Sequence, residues 1–75
     1  SLSVNLDRPD QRTLSERELA VLVLIAQGRS MKQIAESLTL STKTVNTYRA
    51  RLQDKLQLKS TAELTRYALD HRLVE

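Results

Sequence analysis

The segment at residues 41–56 constrains the fold most strongly, because its apolar side chains recur at helical spacing. Val45, Tyr48, Leu52 and Leu56 follow one another at steps of three and four residues. Such spacing places side chains on one face of an α-helix. Apart from Ala50, the other positions are polar or charged, so the pattern predicts a helix with one buried and one exposed face.

The composition favours a small all-α domain. A chain of 75 residues is long enough for one compact core. Tyr48 and Tyr67 are its only aromatic residues, so aliphatic side chains must fill that core. Aliphatic packing between helices suits this composition better than a β-sandwich, because sandwiches draw on aromatic and β-branched residues.

Serines mark the predicted helix starts, and three of them open a capping box. In a capping box the serine oxygen accepts a hydrogen bond from the N–H three residues later, and a Glu or Gln there bonds back to the serine N–H. A fourth serine, Ser41, is followed by Thr44 at the same spacing. The predicted boxes are Ser15 with Glu18, Ser30 with Gln33, and Ser60 with Glu63.

These signals divide the chain into a linker and a helical domain. Residues 1–13 are polar, contain the only proline and are predicted to be a linker or flexible segment, with the domain at residues 14–75. Gly28 is suited to end the first helix, whereas the third is predicted to end near Gln57 without a glycine. The predicted helices lie near residues 16–27, 31–37, 42–56 and 61–71.

Several classes of function are disfavoured by the residues that the chain lacks. It has no cysteine, and its only imidazole is His71, so we expect no metal site and no cofactor. No nucleophile, base and orienting group form a recognisable set, so we expect no enzyme. The longest apolar run, residues 19–26, is too short to cross a membrane, and we expect a cytoplasmic protein.

Positive charge is concentrated on and just after the third predicted helix. The segment at residues 42–59 contains five Lys or Arg residues and one acid, a net charge of +4. Because the whole chain has a formal charge of +3, the remaining residues sum to −1. Only a short turn that contains Thr39 and Leu40 separates the second predicted helix from this one, which is helix-turn-helix spacing.

The ordered motifs resemble the LuxR/FixJ-type helix-turn-helix domain of bacterial transcription regulators, particularly the NarL/FixJ response regulators. The resemblance covers the chain from Leu14 to its end and rests on the order and spacing of its motifs. They are LSERE at residues 14–18, VLVLIAQG at 21–28, IAESL at 34–38, LSTKTVNTYRARL at 40–52 and KL at 55–56.

This resemblance implies sequence-specific binding of double-stranded DNA and control of transcription. The chain is most similar to output domains of two-component response regulators, so an upstream receiver domain and RNA polymerase are implied partners. The resemblance also implies that the third helix enters the major groove. Carried over by position, the expected base contacts are Asn46, Thr47 and Ala50, and the expected phosphate contacts are Ser41, Thr42, Lys43, Thr44, Arg49, Arg51 and Lys55.

The fourth predicted helix is the expected contact of a homodimer. The resemblance implies this role for the helix, and the candidate residues are Leu64, Tyr67, Ala68 and His71. For Leu64, Tyr67 and Ala68 the sequence does not separate a core role from a dimer role. Leu19 and Val23 widen the apolar face of the first helix, and we expect them to pack against the N-terminal segment, an upstream domain or a second subunit.

Two alternatives to this function stay open at the level of sequence. A sigma-factor-like promoter-recognition domain shares several of the motifs but is expected to carry stronger charged contacts for the polymerase. A small helical module could instead use its basic helix to bind RNA or an acidic protein. The scarcity of aromatic residues argues against stacking on single-stranded bases.

Overall fold

A computed structural model of the protein describes residues 11–75, and within them the fold is all-helical. A short 3₁₀ turn, Gln11–Thr13, precedes the first α-helix. The predicted four-helix fold is confirmed, and every helix boundary lies within one residue of its predicted position. The helices are α1 (Glu16–Ala26), α2 (Met31–Leu38), α3 (Thr42–Leu56) and α4 (Thr61–Asp70).

The helix starts form as the serines predict. Ser15, Ser30 and Ser60 each accept a hydrogen bond from the N–H three residues later, and the Glu or Gln there bonds back to the serine N–H. At the start of α3, Ser41 Oγ accepts from the Thr44 N–H at 3.1 Å. Each cap satisfies an N–H group that the helix itself leaves without a partner.

The helix ends share one motif, although only one of them uses glycine. Gly28 follows α1 with φ +85°, and its N–H bonds to Ile25 O while the next N–H bonds to Leu24 O. This pair of bonds is the Schellman motif. The same pair forms around three non-glycine residues whose φ is 57–58°, namely Thr39, Gln57 and Arg72.

A leucine follows each of these three left-handed residues and explains why the strained turns are kept. Leu40, Leu58 and Leu73 all pack against the hydrophobic core. An L-residue costs energy in the left-handed region because its Cβ crowds the following carbonyl. The buried leucine offsets this cost, so the helix ends are fixed by tertiary packing as well as by local preference.

The core lies where α1 crosses the other three helices. Aliphatic side chains fill it, as the composition predicts. Its largest completely buried side chains are Val21, Leu22, Ile34, Val45, Leu52 and Leu64. Because Val45 and Leu52 belong to this set, the apolar face of α3 is fixed against the domain.

The predicted linker falls partly within the described residues. Its last three residues form the 3₁₀ turn, and the Gln11 N–H donates to the Tyr67 hydroxyl of α4 at 2.8 Å. Residues 1–10 lie outside the described part of the chain, so the linker assignment and a contact between that segment and Leu19 or Val23 stay predictions. Across residues 11–75, every helix is too short or too polar to cross a membrane.

Candidate nucleic-acid interface

The α2–turn–α3 unit is held together by apolar side chains at its corner. Leu38 ends α2, Leu40 lies in the turn, and both pack against the core. Ala35 is buried, with 5% of its surface exposed, where α2 packs against α3. Its small side chain suits a close helix crossing, so α3 has a defined position relative to α2.

The three predicted base-contacting residues lie on the solvent side of α3. Asn46, Thr47 and Ala50 are all exposed, whereas Val45 and Leu52 of the same helix are completely buried. Together with Lys43, which is also exposed, these three residues define what we call the reading face. Burial of Asn46 and Thr47 within the monomer would have contradicted a base-reading role, and neither is buried.

The polar side chains of the reading face differ in whether they already form a hydrogen bond within the domain. The Thr47 hydroxyl donates to the Lys43 carbonyl at 3.1 Å, which fixes the threonine side chain on the helix. Asn46 forms no hydrogen bond through its side chain with any of residues 11–75, so its amide can donate and accept elsewhere. Ala50 offers only a methyl group and allows close approach.

The predicted phosphate contacts at the start of α3 serve partly as caps. Ser41 Oγ lies 3.0 Å from Thr44 Oγ1 and accepts from the Thr44 N–H, so these two side chains are engaged with each other. Thr42 is exposed at the first position of the helix. The positive end of the helix dipole also lies here and favours an anion such as phosphate.

The predicted cationic contacts fall into two groups. Lys43 and Arg51 are exposed and form no ion pair within the described residues. Arg49 is half-buried, and its Nη2 donates to Thr61 Oγ1 at 2.7 Å, which ties α3 to the start of α4. Lys55 is also held, since its Nζ lies 2.7 Å from Glu18 Oε1.

The Glu18 carboxylate is buried, which the sequence did not indicate. Glu18 caps α1 as the sequence predicts, yet only 3% of the residue is exposed. Burial opposes ionisation of this group, but hydrogen bonds from Lys55 Nζ and the Ser15 N–H outweigh that effect and lower its pKa. Glu18 therefore serves as both a cap and the buried partner of Lys55.

The structure corrects part of the predicted dimer contact. Leu64 and Ala68 are completely buried inside the protomer, so they are core residues and have no surface to offer a second subunit. Tyr67 is half-buried and His71 is exposed, with their rings stacked at a centroid distance of 3.9 Å. The sequence did not separate a core role from a dimer role, because both faces of this short helix carry apolar residues and spacing alone does not identify the inner one.

Sequence reasoning missed two exposed residues as candidates for a functional role, one on α4 and one on α3. Leu69 is the only large hydrophobic residue in the described part of the chain that is clearly exposed, with 43% of its surface accessible. It lies one helical turn after Thr65 and two after Ala62, a spacing that could have identified this face of α4. Asp54 lies one turn after Ala50, in line with the reading face.

The fold and the exposed helix define a helix-turn-helix domain of the DNA-binding class. The sequence matches the family model of the bacterial regulatory proteins of the luxR family over residues 12–68. The chain therefore belongs to the luxR family. The match to the family model covers most of the predicted domain and includes α1, α2, α3 and most of α4.

Relatives of this chain are response regulators or regulatory proteins. It is 48% identical over 64 residues to the oxygen regulatory protein NreC of Staphylococcus carnosus, which is 85% of this chain and 30% of that protein. It is 46% identical over 61 residues to the response regulator UvrY of Escherichia coli K12, which is 81% of this chain and 28% of that protein. The chain thus spans less than a third of the length of these relatives.

Proposed function

We propose that this chain is the DNA-binding output domain of a two-component response regulator, and that it binds a specific duplex sequence as a homodimer to control transcription. The observation that carries this proposal is the arrangement of α3. Its apolar side is anchored by Val45 and Leu52, while Asn46, Thr47 and Ala50 are exposed together on the other side. Membership of the luxR family supports the same function.

The reading face suits direct contact with base edges in the major groove. The Asn46 amide can donate to and accept from an adenine edge at the same time, a pairing that distinguishes adenine from the other bases. The Thr47 hydroxyl is already bonded to the Lys43 carbonyl, so its methyl group is the part suited to contact a thymine methyl. Ala50 lets the helix backbone approach closely.

Phosphate contacts position the helix without selecting sequence. We assign this role first to Lys43 and Arg51, because both are exposed and neither is held by an ion pair within residues 11–75. Thr42 and the N-terminal turn of α3 add the positive end of the helix dipole. Arg49 keeps guanidinium donors beyond its bond to Thr61, whereas Lys55 is the weakest candidate because Glu18 holds its ammonium group.

The homodimer is proposed to form through the outer face of α4. Leu69 supplies the exposed apolar side chain, and Ala62 and Thr65 lie on the same face. A helix-turn-helix dimer presents two reading helices to successive turns of the major groove, so the operator is expected to be a repeat related by two-fold symmetry. Tyr67 and His71 lie on the flank of α4 that contacts Gln11.

The remaining partners are proposed from the relatives. A response regulator named UvrY and the regulatory protein NreC extend well beyond the part that this chain matches. We therefore propose an upstream receiver domain, and RNA polymerase as the machinery that the bound dimer recruits or blocks. No catalytic activity and no cofactor are proposed, and the site of action is the cytoplasm.

The proposal is tested by selecting bound sites from random duplexes at defined salt concentration. A sequence-specific binder is expected to enrich one motif, and its affinity for that motif is expected to fall steeply as salt increases. Equal affinity for all duplexes, or binding that an acidic protein competes away regardless of DNA sequence, would instead support the interaction-module alternative. The match to the luxR family and the similarity to NreC and to the response regulator UvrY make the sigma-like alternative the weaker one.

A further inference from the structure

One carboxylate interrupts the basic and neutral exposed side of α3. Asp54 is exposed and lies four residues after Ala50, which places it in the same helical row as Lys43, Thr47 and Ala50. It is the only acidic residue of α3. An acid at this position faces the surface that the proposed function directs toward DNA, whose backbone is negatively charged.

The structure shows no direct polar partner for the Asp54 carboxylate within the described residues. Its side chain forms no hydrogen bond or ion pair with any of residues 11–75. The nearest lysine along the chain, Lys55, is committed to Glu18 and to the Thr13 carbonyl. Asp54 also lies in the last turn of α3, where the negative end of the helix dipole disfavours an anion.

A residue that is unfavourable for its own helix, as Asp54 is here, is expected at functional positions, where contact with a partner compensates the cost. An open groove adjoins the carboxylate and is lined by Ala50, Gln53, Asp54, Gln57, Leu58 and Lys59. Ala50 belongs to the reading face, so the groove continues that face toward the end of the helix. The Gln53 Nε2 donates to the Lys59 carbonyl at 2.9 Å, and Asp54 is the only acidic residue among the six that line the groove.

The donors and acceptors that each base presents in the major groove determine from which base a carboxylate can accept a hydrogen bond. An ionised carboxylate only accepts hydrogen bonds. Guanine presents O6 and N7 and thymine presents O4, all of which are acceptors that repel it, whereas cytosine presents its N4 amino group. Adenine also has an amino group, but its N7 acceptor lies beside it. The carboxylate therefore favours cytosine over the other three bases.

We propose that Asp54 is a specificity-determining residue that accepts a hydrogen bond from the N4 amino group of a cytosine in each half-site. This inference rests on the proposed function, since it assumes that α3 lies in the major groove. Four residues of helix separate Asp54 from Ala50, which is about 6 Å along the helix axis. The cytosine is thus expected near the contact of Ala50, on the side toward the C-terminal end of α3.

The test compares the full chain with Asp54→Asn and Asp54→Ala. The selected duplex is made with each of the four bases at every position, and affinities are measured at one fixed salt concentration. Glu75→Gln is the matched control, because it removes the same charge at an exposed position outside α3. Circular dichroism and thermal unfolding establish that each variant is folded.

The wild type is expected to prefer cytosine at one position per half-site by roughly five- to a hundred-fold. Both Asp54 variants are expected to lose that preference while keeping selectivity elsewhere, and Glu75→Gln is expected to keep it. If Asp54→Asn instead tightens binding to all duplexes equally, the carboxylate only repels phosphate and the proposal is overturned. A wild-type chain that selects no sequence at all would reject the proposed function itself.

Discussion

Lys55 Nζ lies 2.7 Å from Glu18 Oε1 and joins the last turn of α3 to the first turn of α1. The same ammonium group donates to the Thr13 carbonyl at 3.2 Å, and the carboxylate also accepts from the Ser15 N–H at 2.9 Å. Only 4% of the Glu18 side chain is exposed, compared with 39% of Lys55. This pair fixes the far end of the reading helix to the scaffold.

Replacing Lys55 is expected to affect stability more than DNA binding. Lys55→Met leaves the buried Glu18 carboxylate without its charged partner, and we expect the free energy of unfolding to fall by about 1–3 kcal/mol. Urea unfolding at pH 7 measures this change. Lys43→Met is the control, since Lys43 is exposed and its replacement should change stability by less than about 0.5 kcal/mol.

The same two variants separate a structural lysine from a phosphate-binding one. In a salt titration of DNA binding, Lys43→Met is expected to reduce the slope of log affinity against log salt by about 0.9. Lys55→Met is expected to leave the slope nearly unchanged. A stable Lys55→Met protein with a reduced slope would identify Lys55 as a phosphate contact after all.

Stability is expected to decrease in acid through Glu18 and Glu63. Hydrogen bonds from the Lys59 and Ser60 N–H groups lower the pKa of Glu63, and those to Glu18 lower its pKa despite burial. A lowered pKa in the folded state means that the stabilisation is complete above the ordinary value of 4.5 and is lost as pH falls through the folded pKa.

Urea unfolding between pH 7 and pH 3 checks this dependence. The free energy of unfolding of the wild type is expected to fall below about pH 4.5, and that of Glu18→Gln to fall less steeply, because the variant lacks one of the two groups. Identical slopes for the two proteins would show that folding does not lower the pKa of Glu18.

Replacing the left-handed threonine that follows α2 with glycine is expected to raise the stability of the domain. Thr39 has φ 58°, and Thr39→Gly removes the Cβ that makes this conformation costly, so we expect stability to rise by about 1 kcal/mol. Ser37→Gly is the matched control inside α2, where glycine should instead cost about 0.5–1 kcal/mol. Thermal unfolding measures both, and equal losses would contradict the strain argument.

Asn46→Ala is expected to relax base preference at one position and to cost about 1–3 kcal/mol of binding to the selected site. The reason is that the amide contacts a base edge, whereas a lysine contacts phosphate and reads no sequence. Lys43→Ala should weaken binding to every duplex similarly. Competition between the selected site and random duplex measures the difference, and uniform losses for both variants would contradict this division of roles.

Leu69→Glu is expected to prevent dimer formation without unfolding the domain. Leu69 is 43% exposed, so a charge there meets solvent in the monomer but would be buried in the proposed dimer contact. Leu64→Ala should instead destabilise the monomer by about 2–5 kcal/mol, because Leu64 is completely buried. Analytical ultracentrifugation with and without DNA gives the association state, and unchanged association of Leu69→Glu would reject this face as the contact.

The sequence by itself determined the local structure of this protein. Serine caps and apolar spacing predicted four helices to within one residue, because these signals act between residues only three or four apart. The same periodicity placed Asn46 and Thr47 opposite Val45 and Leu52, so the exposed side of α3 followed from the sequence. The family also followed from ordered motifs.

Only the tertiary structure decided which side chains of the other helices are buried, which are exposed and which form ion pairs. Leu64 and Leu69 are both leucines of α4, but packing against α1 buries the first and leaves the second exposed. Lys55 and Glu18 are 37 residues apart, and their ion pair exists only because the fold brings α1 and α3 together. Long-range contacts of this kind depend on how helices pack, which no local pattern encodes.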